Sequence, residues 1–123
     1  MKITRRLLAA LTGIVLAVQA AAFELVMVEQ AGCQYCARWN VAVGPVYPKT
    51  PEGAFAPLRR VDLHQPLPPD LSLQGKVVFT PTFILVDEGR ELARIEGYPG
   101  EEMFWWMLAN LLTNNTDFKG GPS

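Results

Sequence analysis

The chain has 123 residues, half of them hydrophobic, with 11 basic and 12 acidic side chains and a formal net charge of −1. That length supports one domain around one core. The charge balance excludes a binder of nucleic acid or another polyanion: after residue 22 the one adjacent basic pair is Arg59-Arg60, which reads as solvated, and the other basic residues are scattered.

At the N-terminus, Lys2, Arg5 and Arg6 precede an apolar run from Leu7 to Val18, and small residues follow at Ala20 to Ala22. The run is too short to cross the ~30 Å of bilayer hydrocarbon as a helix, so residues 1–22 read as a cleavable secretory signal rather than an uncleaved anchor. Cleavage is expected after Ala22, with Ala20 as the alternative. Arg5-Arg6 touches a twin-arginine pattern, but the residues after it fit the general secretory route. Removing the signal leaves eight basic residues against twelve acidic ones, a net charge of −4, on a periplasmic protein.

Glu24–Glu29 (ELVMVE) is a short valine-rich apolar run, as in a strand buried on both faces. Cys33, Cys36, Trp39 and Val43 then recur at helical spacing, while Gln34, Arg38 and Val41 fall elsewhere, and Gly44-Pro45 ends or kinks that helix. A Pro/Gly-rich excursion covers Pro48 to Pro57, opened by a short helical turn at Thr50-Pro51-Glu52. A strand is expected at Leu58–Leu63. The stretch Gln65–Gln74 is rich in turn residues, with one helical turn starting at Pro69 or Asp70.

Two further strands, Thr82–Val86 and Glu91–Glu96, flank a tight turn at Asp87 to Arg90 and form an antiparallel hairpin. Gly100–Thr113 reads as an amphipathic helix with Glu101 and Glu102 in its first turn. Its spacing places Phe104, Met107, Leu108 and Leu111 in the core, flanked by Trp105 and Leu112, and turns Trp106 outward. Residues 114–123 read as a disordered tail, and the sequon Asn114-Asn115-Thr116 as a chance match. This order implies one mixed sheet with helices on both faces.

Both cysteines sit in E-Q-A-G-C-Q-Y-C-A-R-W, residues 29–39. Structural zinc needs four ligands, and the chain adds one histidine, His64, on a different element. Covalent haem needs histidine directly after the second cysteine, where Ala37 stands. A purely structural bridge over two residues closes a loop too small to stabilise much. Redox exchange remains. At the helix N-terminus the dipole and unpaired N–H groups favour a thiolate at Cys33, lowering its pKa from ~8.5 and making it the nucleophile. Cys36, one turn in on the apolar stripe, is the shielded resolving thiol.

With a strand leading into C-x-x-C at a helix start, F-T-P-T opening a hairpin, and a glycine before the last helix, the chain resembles the thioredoxin superfamily over nearly all of residues 23–113. More narrowly, A-G-C-Q-Y-C-A-R-W, Y-P-K-T-P-E-G, A-P-L-R-R-V-D-L and F-T-P-T-F-I-L are similar to periplasmic thioredoxins of bacterial sulfur-oxidation (Sox) operons. The resemblance implies an α/β fold, a mixed central sheet with flanking helices, and thiol–disulfide oxidoreductase activity without cofactor or metal. It implies a cis Pro81 facing the cysteines, with Thr80 offering backbone to an extended substrate and Gln34 and Tyr35 beside it. The implied partners are a protein thiol or disulfide, such as a sulfur-carrier protein kept reduced, and a membrane electron donor of the thiol–disulfide transporter type. A general disulfide isomerase or oxidant, or a redox-sensing binding module without turnover, are the alternatives.

The chain departs from cytosolic thioredoxins in three places. Ala31-Gly32 replaces the tryptophan before the first cysteine, Met27 stands where they bury an aspartate, and Val41 replaces the helix proline. Glu29 could accept the proton of the resolving thiol, but reads first as a strand-end carboxylate. These gaps argue against a general cytosolic-type reductase.

Overall fold

The computed structural model describes residues 12–13 and 22–120, so the expected signal segment lies almost wholly outside the described residues. Strands β1 (Phe23–Glu29), β2 (Leu58–Asp62), β3 (Thr82–Asp87) and β4 (Arg90–Glu96) form one sheet in the order β2-β1-β3-β4. β1 runs parallel to β2 and antiparallel to β3, and β3 pairs antiparallel with β4. The helices are α1 (Gln34–Ala42), α2 (Pro51–Phe55) and α3 (Glu101–Asn115), with a 3-10 turn at Tyr47–Lys49.

The two-residue side-chain period of β1 and β3 splits the core in two. Leu25, Met27, Phe83 and Leu85 face the helices, joining Trp39, Val43, Tyr47, Phe104, Leu108 and Leu112. Val26, Val28, Ile84 and Val86 face the other way, where Leu71, with Val61, Leu63, Leu73 and Val77, covers them. All three helices therefore lie on one face, which corrects the expectation of helices on both. The helical turn expected at Pro69 or Asp70 is a single reverse turn, closed by Leu71 N–H donating to the Pro68 carbonyl at 3.0 Å. Pro66, Pro68 and Pro69 lack the N–H groups a helix needs and hold their predecessors extended.

The irregular segment is pinned instead by pairing. Ser72 bridges to Arg90 across the hairpin tip, donating to the Gly89 carbonyl and accepting from Glu91 N–H. At that tip Glu88 and Gly89 both have positive φ, 48° and 83°, as a tight hairpin turn requires. A side chain at Gly89 would also meet the Asp70 carbonyl. Glu91 is buried under the segment, bonded to Arg94 at 2.6 and 2.7 Å and accepting from Gln74 N–H at 3.0 Å. Arg94 in turn donates to the carbonyls of Gly75 and Lys76.

The excursion after α1 folds back onto the helical face. Thr50 caps α2 by accepting from Gly53 N–H, Pro51 starts it, and the buried Tyr47 hydroxyl donates to the Ala56 carbonyl at 2.5 Å. Burial, reinforced by the Glu52 charge, pushes the Tyr47 phenol above its ordinary pKa, so it stays a donor.

On α3, Phe104, Leu108 and Leu112 are fully buried, whereas Met107 and Leu111, expected in the core, are half-buried on its flanks with Trp105. The tail expected to be disordered is ordered well beyond residue 113. α3 continues to Asn115, Thr116 Oγ1 donates to the Leu112 carbonyl at 2.6 Å, and Phe118 packs 5.1 Å from the Phe55 ring. One buried aromatic outweighs the polar composition around it. Arg59 and Arg60, read as a solvated pair, keep solvent contact, Arg60 exposed and Arg59 half-buried, but each also carries an ion pair. They point to opposite faces of β2, Arg59 to Asp70 and Glu24, Arg60 to Glu29.

Candidate active site

β1 ends at Glu29, and Gly32, at φ 78°, turns the chain so that Cys33 becomes the residue capping α1. Cys33 has extended backbone dihedrals and its Sγ accepts a hydrogen bond from Cys36 N–H at 3.1 Å. The two cysteines are joined as a disulfide with Cα atoms 5.2 Å apart. Cys33 is half-buried, while Cys36 is 4% exposed. The difference follows from helical phase: Cys36 lies above Trp39 and Val43, and Trp39 packs against Tyr47, Phe83 and Phe104. When the disulfide opens, the Cys36 N–H and the helix N-terminus are aimed at the sulfur of Cys33.

Two concavities border the cysteine turn, one lined by both cysteines and one by Tyr35 between them. On one side a depression of about 370 Å³ is lined by Glu29, Gln30, Cys33, Gln34, Cys36 and Asn40. Met27 is fully enclosed by the core. The nearby carboxylate is instead Glu29, 2.5 Å from the Arg60 guanidinium, which lies 5.7 Å from the Trp39 ring centre. Glu29 is thus both a strand-end carboxylate and part of the wall shared with both cysteines.

On the other side a groove of about 570 Å³ is lined by Tyr35, Phe79, Thr80, Tyr98, Pro99 and Met107. Tyr35 is 55% exposed and Phe79 59%, giving the groove two aromatic lips. The Arg38 guanidinium stacks 5.3 Å from the Tyr35 ring centre. The Thr80–Pro81 peptide bond is cis, and Pro81 itself is buried. Its loop is held at both ends: Thr82 Oγ1 donates to the Phe79 carbonyl at 2.6 Å, and Gly97 N–H to the Pro81 carbonyl at 2.7 Å. Burial, with help from the Glu101 charge, raises the Tyr98 phenol above its ordinary pKa.

Of the residues singled out in the sequence, Cys33, Cys36 and Gln34 meet in the depression, and Tyr35 and Thr80 meet in the groove. Gln30 links the two sides. It lines the depression, its backbone carbonyl accepts from Cys33 N–H, and its amide donates to Thr80 Oγ1 at 2.7 Å. His64 Nε2 stands 2.8 Å from Gln30 Oε1. Sequence reasoning passed over Gln30, Phe79 and Tyr98. Position next to C-x-x-C was the one signal for Gln30; for Phe79 it was an aromatic before T-P-T, unsupported by any strand. Among the described residues no group of three or more His, Cys, Asp or Glu side chains is placed to hold a metal ion. Nor, among them, is any helix long and apolar enough to cross a membrane.

No family model and no curated protein matches the chain. Among solved structures, it is similar to the periplasmic thioredoxin SoxS from Paracoccus pantotrophus in its reduced form, with 53% identity over 72% of this chain and 94% of that one, and a TM-score of 0.71. A thioredoxin from Malassezia sympodialis shares the fold, with 16% identity over 73% of this chain and 75% of that one, and a TM-score of 0.50. A mixed four-stranded sheet, a C-x-x-C capping a helix and a cis proline loop beside it agree with that likeness. The chain is therefore a thiol–disulfide oxidoreductase of the thioredoxin superfamily and belongs within it to the family of the periplasmic thioredoxin SoxS.

Proposed function

We propose that residues 1–22 export the protein to the periplasm, where its dithiol keeps a cysteine of a sulfur-carrier protein of the Sox system reduced. The 53% identity to a periplasmic thioredoxin named SoxS supports both the compartment and the pathway. The observation that carries the mechanism is the unequal pair, a half-buried Cys33 at the helix cap and an enclosed Cys36 behind it.

In the reduced protein the Cys33 thiolate attacks one sulfur of the substrate disulfide and expels the other as a thiolate, which takes up a proton. Cys36 then loses its proton and attacks the Cys33 sulfur, expelling the substrate's second sulfur. Two electrons leave the protein as the Cys33–Cys36 disulfide forms. A membrane donor of the thiol–disulfide transporter type returns them by the same exchange in reverse. Gln34 and Tyr35 border the incoming chain, and the backbone at Thr80, before Pro81, pairs with it as an added strand.

The test is a trap. With Cys36→Ser in the full-length protein, mixed disulfides at Cys33 persist and the captured protein can be identified by mass spectrometry. A sulfur-carrier protein is the expected catch. A broad set of secreted disulfide proteins would point to a general isomerase or oxidant, and no covalent capture to a sensor without turnover.

A further inference from the structure

Pro99 belongs to two grooves at once. The first is the groove beside the disulfide, bordered by Tyr35 and Phe79. The second, of about 540 Å³, continues past Pro99 onto the outer side of α3, with Met103 and Trp106 as its apolar surface and Glu101 and Glu102 on its rim. Trp106 is 65% exposed and Met103 48%. Helical phase turns both away from the core built on Phe104, Leu108 and Leu112, so neither serves the fold.

Charge restricts what can lie there. Glu96 borders the first groove and Glu101 and Glu102 the second, and no Lys or Arg is among the residues lining either. Arg38 enters only at the disulfide end, stacked on Tyr35. A second copy of this surface would set carboxylates against carboxylates, and an anionic membrane would repel them. A basic polypeptide segment carrying a large apolar side chain satisfies both the carboxylates and the indole.

We propose that Pro99, Met103 and Trp106, rimmed by Glu101 and Glu102, form a second docking subsite for protein substrates. Its occupant is a segment, displaced along the chain from the substrate's reactive cysteine, that pairs an aromatic or leucine-sized side chain with Lys or Arg. This rests on the reading that the dithiol acts on protein thiols. The subsite supplies affinity and selectivity and leaves the chemistry at Cys33 untouched.

The experiment compares reduced full-length protein against three probes, each a mixed disulfide with thionitrobenzoate whose release is followed by colour. One probe is a peptide whose cysteine is joined through Gly-Ser spacers of several lengths to Phe-Lys-Arg. The second ends in Ser-Glu-Glu, and the third is mercaptoethanol. The wild type is expected to favour the basic aromatic peptide at its best spacer by about tenfold in kcat/KM, carried by KM and weakened by salt. Trp106→Ser, and separately the pair Glu101→Lys and Glu102→Lys, should erase that preference while leaving the mercaptoethanol rate unchanged. An equal wild-type rate with both peptides, or a preference that survives both variants, overturns the subsite and leaves the redox reading standing. A concentration-dependent dimer abolished by Trp106→Ser overturns it in favour of self-association. Inertness toward mercaptoethanol as well overturns the redox reading together with the subsite.

Discussion

Gln30 donates its side-chain amide to Thr80 Oγ1 over 2.7 Å, tying the residue that leads into the cysteine turn to the loop before Pro81. The two residues are 50 positions apart, so the bond fixes the spacing between the two halves of the site. With His64 Nε2 donating to the other amide atom, Gln30 is oriented from both ends. Thr80 Oγ1 is the acceptor of this bond.

Gln30→Leu keeps the volume and removes the bond. A net hydrogen bond of about 0.5–1.5 kcal/mol corresponds to roughly a twofold to thirteenfold loss in exchange rate with a peptide disulfide. Thr80→Val should lose a similar amount, and the double variant no more than the larger single loss, because both changes remove one interaction. Fully additive losses in stopped-flow exchange would mean that the two residues act separately.

The C-terminal helix separates two aromatic neighbours. Phe104 is enclosed by Trp39, Phe83, Tyr98 and Trp105, so Phe104→Ala should cost roughly 3–5 kcal/mol in urea unfolding. Trp106→Ala should fall within about 0.5 kcal/mol of wild type. The reverse ranking would contradict the observed helix phase.

Much of this was legible in the chain because local signals and tertiary packing agree. Cys36, Trp39 and Val43 share one helical face in sequence and one core in space, and the turn at Glu88-Gly89 is where the hairpin pattern puts it. What stayed hidden depends on distant partners. Nothing near Pro69 reveals that Ser72 will pair with the β4 edge in place of a helix. Phe118 stands alone among polar residues, and its burial depends on Phe55, far away in sequence. The same holds for Gln30, whose partners Thr80 and His64 come from other segments.

Phe118 offers a direct check of the ordered C-terminal segment. Phe118→Ala removes a buried ring and should cost about 1–3 kcal/mol, whereas Lys119→Ala, at an exposed position, should be near neutral. Equal melting temperatures for the two variants would mean that residues beyond Asn115 add nothing to the fold.

Acid stability should report on Glu91. Hydrogen bonds from Arg94, opposed by burial and aided by Gln74 N–H, hold its carboxyl below the ordinary value of 4.5. A carboxyl depressed in the folded state contributes stability that is present above the unfolded value and lost as pH falls through the folded one. Glu91→Gln should therefore cost about 1–3 kcal/mol near neutral pH and progressively less below about pH 4.5. A penalty independent of pH in paired urea titrations would detach Glu91 from the acid transition.

The unequal roles of the two cysteines are tested most directly by alkylating the fully reduced protein with limiting iodoacetamide at about pH 6 and mapping the label by mass spectrometry. Cys33 should carry nearly all of it, with a reactivity profile whose midpoint lies below the ~8.5 of a free thiol, while Cys36 remains unmodified. Preferential labelling of Cys36 would contradict the assignment of Cys33 as the nucleophile.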